Sequence, residues 1–330
     1  MFDNLTLTRA DLPWAQAALG GYLLLAAAGF AYLTLRDGGW LAWFFALAAP
    51  FALGNLFSGF TVFFWRSGSL SVSWPFLLLV IGILLGNEFL KKFYAQLIFR
   101  ALVLFAAAYF FFIFYLPTAL GRLNAWVFAL AGLVSLAFIV LYLYLLGRAR
   151  PALISAHRRS FTLAIGAFFV IINLFYFTNI LPPIPLALKD AGIYQRVERQ
   201  NNNYLASAEI RPWYQRWRRY PIIHYQPGQA LFAYGAVFAP TRLNTTIAHE
   251  WQYYHPPSAP GGGEWQTRAR ISIGIVGGRD GGYRGYSITN NLAAGYWRVN
   301  IITARGQVIG RIKFLAQPTD QPLNLRSLAL

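Results

Sequence analysis

Residue types suited to chemistry cluster in three short stretches of the C-terminal half of the chain. In "HEWQYYH", His249, Glu250 and His255 are of the types that ligate zinc. A strand rises about 3.3 Å per residue, so His249 and His255 would share a face but stand about 20 Å apart. No metal site is therefore expected. His249, Trp251 and Tyr253 are read as one strand face, with Trp251 in the core. The second stretch, "GGRDGGYRGYS" at 277–287, has the glycines of a phosphate cradle. Such a cradle follows a strand and opens a helix, whereas this one lies between "ISIGIV" and another strand-like run. The Asp280-Gly281 pair predicts a hairpin turn from which Arg279 and Arg284 project, either as rigid structure alone or toward an anion or partner. The third, "RPWYQRWRRY", interleaves Arg211, Arg216, Arg218 and Arg219 with Trp213, Tyr214, Trp217 and Tyr220. Two readings stand side by side: a docking surface for anionic lipid headgroups or a phosphate-bearing envelope glycan, and a solvated loop of stacked arginine and aromatic side chains.

The stronger catalytic signatures are missing. The sequence has no G-x-x-x-x-G-K-[ST] loop, H-E-x-x-H helix or G-x-S-x-G elbow, and no cysteine for a thiolate site or disulfide. No catalytic residue, metal or cofactor is assigned. The formal net charge of +17 is read as a topology and headgroup signal rather than as a nucleic-acid footprint, because 57% of residues are hydrophobic and only 12% charged.

Those fractions place much of the chain in lipid. Long uncharged runs extend over 14–35, 38–65, 67–87, 101–120, 123–146 and 161–181, each near the roughly 20 residues that cross a bilayer. About six spans are expected. The second, interrupted by "GNLFSG", is read as kinked or closely packed against another helix there, with a broken helix as the other alternative. The flank before the first run lacks a small-residue cleavage pattern, so that run is expected to remain as an anchor. With an even number of spans both termini lie on one side, together with Arg9, Arg66 and Arg122. The other side carries Arg36, Lys91, Lys92, Arg100, Arg148, Arg150, Arg158 and Arg159. Positive charge accumulates in the cytoplasm, so the termini are expected outside; one miscounted span would reverse the C-terminal part. Glu88, beside Asn87, is the intramembrane polar candidate, and pairing with Lys91 and Lys92 at the aqueous boundary is expected of it. Asn55, Asn173 and Asn179 are read as interhelical hydrogen-bonding groups.

From Lys189 onward the texture changes to seventeen basic and seven acidic residues, with short alternating apolar stretches. "ALFAYGAVFA", "TTIAHEWQYY", "RARISIGIV", "YRGYSITNN", "YWRVNIIT" and "QVIGRIKFLA" read as strands without intervening helices. The fold expected is an α-helical polytopic membrane domain over 1–188, then an all-β immunoglobulin-like sandwich over 189–330. Within the latter, 189–228 is read as a basic aromatic connecting region, with "RQNNNY" a turn or hairpin tip.

Several of these stretches, in order, resemble the bacterial domain of unknown function numbered twenty-nine fourteen. The resemblance rests on His249 and Trp251, Arg284 and Ser287, Gly295 with Trp297, Arg298 and Val299, and then Gly306 and Phe314. It implies an extracytoplasmic β domain attached to membrane segments and carries no activity or cofactor with it. Together these readings predict a bacterial inner-membrane protein with a periplasmic β domain that acts as a binding, scaffold or assembly factor. Its expected partners are the bilayer, a membrane protein or a second copy, and an anionic lipid or envelope glycan. A subunit of a larger membrane complex is included in that reading, and a membrane-embedded enzyme or transporter for an envelope lipid or phosphate-bearing glycan, with the β domain as lid, is the alternative.

Overall fold

A computed structural model describes residues 13–330 except 37, 90–93, 95, 201–202, 211–217, 258–262, 280 and 291, and the side chains of 70 and 87–89. The expectations for Arg211, Arg216, Asp280 and the side chains of Asn87 and Glu88 therefore lie outside the described residues. The chain divides into two compact units, residues 1–185 with 240–243, and residues 186–239 with 244–330.

Among the described residues the first unit is a bundle of six helices: α1 (Pro13–Leu35), α2 (Trp40–Ser67), α3 (Leu70–Phe89), α4 (Leu97–Leu120), α5 (Ala125–Ala149) and α6 (Pro151–Phe177). All but α3 are long and apolar enough to cross a bilayer, and the continuous apolar part of α3 runs over Ser71–Gly86. The second run is one unbroken helix through "GNLFSG", with Pro50 inside it. The sixth helix begins ten residues before the apolar run. Proline at its first position suits a helix start, so the basic segment around Arg158 and Arg159 is helical rather than a loop.

Helix α4 is the centre of the bundle. Of its most apolar stretch 67% is buried, against 33% or less in the other spans. The aromatic residues largely face inward: Phe110 meets Phe57, Phe60, Phe64 and Phe76 edge to face, and Phe63 stacks on Phe114 at 4.6 Å. Offset and edge-on aromatic contacts supply attraction that lipid, itself apolar, cannot supply by exclusion alone. Gly132 of α5 makes room for such contacts, since a Cβ there would come within 2.9 Å of the Phe169 ring and 3.0 Å of the Tyr109 hydroxyl. Asn173 bridges helices as expected, donating to Tyr109 Oη at 3.1 Å. Asn55 bonds within its own helix instead, donating to Phe51 O one turn back. Asn179 takes a left-handed conformation (φ 59°) just past α6, where its amide donates to Tyr176 O. Asparagine tolerates that backbone, which explains its place at a helix end.

Among the described residues the second unit is all β, in three sheets and with no closed barrel. Its strands are β1 (Ala187–Tyr194), β2 (Arg196–Gln200), β3 (Asn203–Glu209), β4 (Ile222–Tyr225), β5 (Leu231–Phe238), β6 (Asn244–Tyr254), β7 (Trp265–Val276), β8 (Tyr283–Thr289), β9 (Gly295–Thr303), β10 (Val308–Pro318) and β11 (Leu325–Ala329). The sheet orders are β1-β5-β8, β4-β10-β9-β6-β7 and β11-β3-β2. Neighbours are antiparallel except β4 beside β10. The six strands read from sequence are β5 to β10. The region 189–228, expected as a connection, instead supplies most of four strands. Their signal is weak because they are short and carry charge on exposed positions, as in "RVERQ" with only Val197 buried. The "RQNNNY" hairpin does form, as β2 pairs with β3 from Gln200 and Asn203 outward.

Strand β5 is buried on both faces, which explains its nearly continuous apolar sequence. Leu231 and Ala233 pack with Trp251, Trp297, Val299 and Phe314 of the five-stranded sheet. Tyr234 and Ala236 point the other way, toward Val197 and Ala206 of the β11-β3-β2 sheet. The small β1-β5-β8 sheet is thus the middle of three layers.

The close approach at Gly132 generates a test of the helical unit. Gly132→Val should destabilise the bundle by about 2 kcal/mol through overpacking. Gly166→Ala, where a Cβ meets nothing within 4 Å, should leave it unchanged. Thermal unfolding of the full chain in detergent measures both, and equal midpoints would overturn the packing assignment.

Candidate functional site

The marker residues on β6 and β8 meet inside the domain. The Ser287 Oγ accepts from Trp251 Nε1 at 2.9 Å and lies 3.0 Å from His249 Nδ1. His249 and Trp251 are fully buried and Ser287 nearly so, which places this triad between two sheets rather than in a cleft. Indole can only donate, so the hydroxyl proton is left to serve the Nδ1 lone pair, and the ring proton then sits on Nε2. Nε2 faces the Ala233 main chain without a hydrogen bond of normal geometry and is a buried orphan. Burial pushes the imidazole pKa down to about 4, with the Ala233 main chain opposing it. Gly235 makes this possible: a Cβ there would lie 3.2 Å from His249 Nε2 and 2.9 Å from Ile301. A neutral, enclosed His-Ser pair has neither substrate access nor a basic imidazole. Its chemistry is that of a polar clasp joining sheets.

His255, the other histidine of the stretch, accepts from Arg268 Nη2 at 2.9 Å. Among the described residues no group of three metal-ligating side chains converges. The remaining markers complete the core. Trp297 donates to Ala293 O at 2.8 Å, and Trp251 meets Trp297 and Phe314 edge to face. Gly295, at φ 135°, leaves space for the Tyr253 ring 3.1 Å from its Cβ position, and Gly306, at φ 87°, turns β9 into β10. Arg298 points to the opposite sheet face, where its guanidinium lies 4.3 Å from the Trp265 ring centre.

The glycine-rich stretch is a turn but not a hairpin. β7 belongs to the five-stranded sheet and β8 pairs with β5, so residues 277–282 carry the chain from one layer to another. A turn residue pair cannot distinguish a hairpin from a crossover, because both need left-handed backbone. Gly278 (φ 92°) donates to Ala239 O and Gly282 (φ 81°) to Arg279 O. A side chain at Gly282 would press to 3.0 Å on the backbone at Val237, so the turn is seated on the end of β5.

This seating brings Arg279 and Arg284 together. With Arg199 of β2 they line a pocket of about 420 Å³, completed by Asn203, Tyr204, Gly281, Gly282 and Tyr283. No described acidic side chain lines it. The Arg284 Nη1 donates to Leu330 O at 2.9 Å, and Tyr204 Oη donates to Arg284 O. Arg279 lies 5.1 Å over the Tyr283 ring. Three guanidinium groups around one polar hollow match an oxyanion better than any neutral ligand. Arg199 was not among the sequence candidates, and only the register Arg199 opposite Tyr204 reveals it. Arg218 and Arg219 are exposed and lie outside the pocket lining.

The buried triad sets a pH dependence. A histidine held near 4 when folded and near 6.5 when unfolded contributes stability present above pH 6.5 and lost as pH falls toward 4, in total about 3 kcal/mol. His249→Gln should flatten the slope of stability between those limits in urea unfolding followed by tryptophan fluorescence. A variant with the wild-type slope would overturn the assignment. Ser287→Ala should cost about 3 kcal/mol at pH 7 by orphaning the indole N–H and Nδ1.

No protein with a curated description matches the chain. Among solved structures, a β-glucosidase from Listeria innocua in complex with gluconolactone aligns at 9% identity and TM-score 0.20, covering 42% of this chain; the chain spans 18% of that enzyme's length. The alkylpurine DNA glycosylase AlkC of Pseudomonas fluorescens, bound to DNA containing an abasic site analog, aligns at 10% identity and TM-score 0.22 over 94% of this chain and 99% of that one. Scores this low carry no argument about fold or function. Residues 244–315, from the start of β6 into β10, match the family described as Protein of unknown function (DUF2914), so the C-terminal region of this chain carries that domain.

Proposed function

We propose that this protein is a membrane-anchored binding factor whose β domain captures an acidic group of a partner in the pocket formed by Arg199, Arg279 and Arg284. The observation that carries the reading is the convergence of those three cations, from two sheets and a glycine-fixed turn, without a lining carboxylate among the described residues. Arginine presents a planar fork to phosphate or carboxylate, and two of these side chains are held in place, one by a main-chain carbonyl and one by an aromatic ring. Arg218 and Arg219, with Arg211 and Arg216 before them in sequence, add positive charge that steers such a partner at long range.

The orientation belongs to the same proposal. We count α3 as a sixth span although its apolar part, Ser71–Gly86, is shorter than the other five, because its 20 residues rise about 30 Å at 1.5 Å per residue, the hydrocarbon thickness. Six spans follow, with the basic helix ends on one side. By the charge bias that side is the cytoplasm of a bacterial inner membrane, and the β domain is periplasmic. The partner would then be an envelope component, either an acidic membrane protein or a phosphate-bearing lipid or glycan.

Purification of the full chain in mild detergent, followed by native mass spectrometry, tests the pocket. Wild-type protein should retain a stoichiometric acidic lipid or protein, and Arg279→Glu with Arg284→Glu should reduce occupancy roughly tenfold. Equal occupancy in the double variant would refute the site. A reporter active only in the periplasm, fused at the C-terminus, should be active; activity of a cytoplasmic reporter alone would overturn the orientation.

A further inference from the structure

The alternation of β6, β9 and β10 places a second group of cations on the face of the five-stranded sheet that points away from the middle layer. Trp251, Trp297 and Phe314 point inward. Glu250, Gln252, Arg298, Asn300, Arg311 and Lys313 therefore point outward. The register sets Arg298 directly opposite Lys313, and Arg311 opposite Asn300. Directly opposed side chains start about 5 Å apart and diagonal ones about 7–8 Å, so all three cations reach a common point. Like charges in these positions destabilise a sheet unless something neutralises them. Among the side chains that these three strands turn outward, Glu250 is the one acid. Its Oε2 accepts from Gln252 Nε2 at 2.9 Å and Asn300 Nδ2 at 3.1 Å.

The same amides hold the arginines. Arg298 donates through Nε to Gln252 Oε1, and Arg311 through Nε to Asn300 Oδ1, both at 2.6 Å. Trp265 supports the Arg298 guanidinium from one side. Asn300 is itself buried, at 3% exposure, so the anchor is part of the sheet rather than of its solvated surface. Lys313 and Arg219 approach the ring of Tyr220, at 5.8 and 6.0 Å from its centre.

We propose that this face is a second anion site, separate from the Arg199–Arg279–Arg284 pocket, and that it takes a phosphate group. A carboxylate offers one charge and two oxygens. A phosphate monoester offers up to two charges and three terminal oxygens, enough to engage both anchored guanidinium groups and the ammonium together. The electrostatics agree with a face on which added negative charge would be favourable. Burial, then the neighbouring Arg311, lower the Arg298 pKa to about 10, with Glu250 opposing. Lys313 is lowered by burial and then by Arg219, Arg311 and Arg298. Because the two sites use different layers, one domain could hold two acidic groups at once.

The test uses the full chain in neutral detergent and calorimetric titration with two probes, inorganic phosphate at matched ionic strength and a short-chain phosphatidic acid. Wild type and the pocket variant Arg279→Gln with Arg284→Gln should bind alike at this site. Lys313→Gln, and Arg298→Gln with Lys313→Gln, should weaken binding roughly tenfold or more, while Lys313→Arg retains it. Binding of both probes identifies the bare ion as sufficient, and binding of phosphatidic acid alone identifies a lipid headgroup. The proposal fails if neither probe binds, if binding survives Lys313→Gln unchanged, or if it disappears only in the pocket variant. The single Lys313→Gln variant removes no hydrogen bond of the sheet network described above, so it keeps the test readable should Arg298→Gln fail to fold.

Discussion

The Ser287 hydroxyl ties the small middle sheet of the β domain to the five-stranded sheet through two polar side chains. A hydroxyl that accepts from an indole and serves an imidazole satisfies the indole N–H and the imidazole Nδ1 where all three side chains are buried. Loss of either partner leaves a buried group without compensation. Much of the local architecture follows from that demand. Gly235 has no side chain because the imidazole occupies the space, Trp251 is oriented by its N–H, and Phe314 and Trp297 close around the indole. The residues that mark the family segment are thus largely those that build one interior. Arg284, which lines the pocket, and Arg298, on the outer sheet face, are the exceptions.

The helical unit answers a different constraint. Water provides no drive for helices to associate within lipid, so contact must come from shape and from a few polar links. Small residues such as Gly132 permit close approach, aromatic edges fill the remaining space around α4, and Asn173 with Tyr109 supplies a hydrogen bond between helices. The large side chains left outside, including Trp43, Phe51, Leu133 and Val140, are what a lipid-facing surface requires.

The parts of the fold that were legible in sequence are those with a long or regular physical signature. Membrane spans must be apolar for some 20 residues, and β5 to β10 alternate over enough positions to be seen. β1 to β4 were not seen as such, because four- to eight-residue strands with charged outward positions resemble a polar connection. Residue type drew attention to Arg279 and Arg284, but their partner Arg199 is 80 residues from Arg279 and joins them only through layer stacking. Arg298 was named only as a family marker, and its grouping with Arg311 and Lys313 was hidden: a cross-strand neighbour is defined by register, which a linear reading does not contain. The hairpin expected at Asp280-Gly281 failed where local turn chemistry meets a non-local choice, the sheet that the next strand joins.

That crossover has a mechanical consequence. The turn carrying Arg279 is tied at one end to the five-stranded sheet and at the other to the middle sheet, and its floor is the backbone of β5. Such a segment cannot swing like a lid without unzipping a strand at one end. Recognition here would work by fit to a standing mould, with discrimination among anions set by size and oxygen placement and little entropy lost in closing around them. A ligand held there would also brace the junction between layers, so that binding and resistance of the domain to shear would rise together.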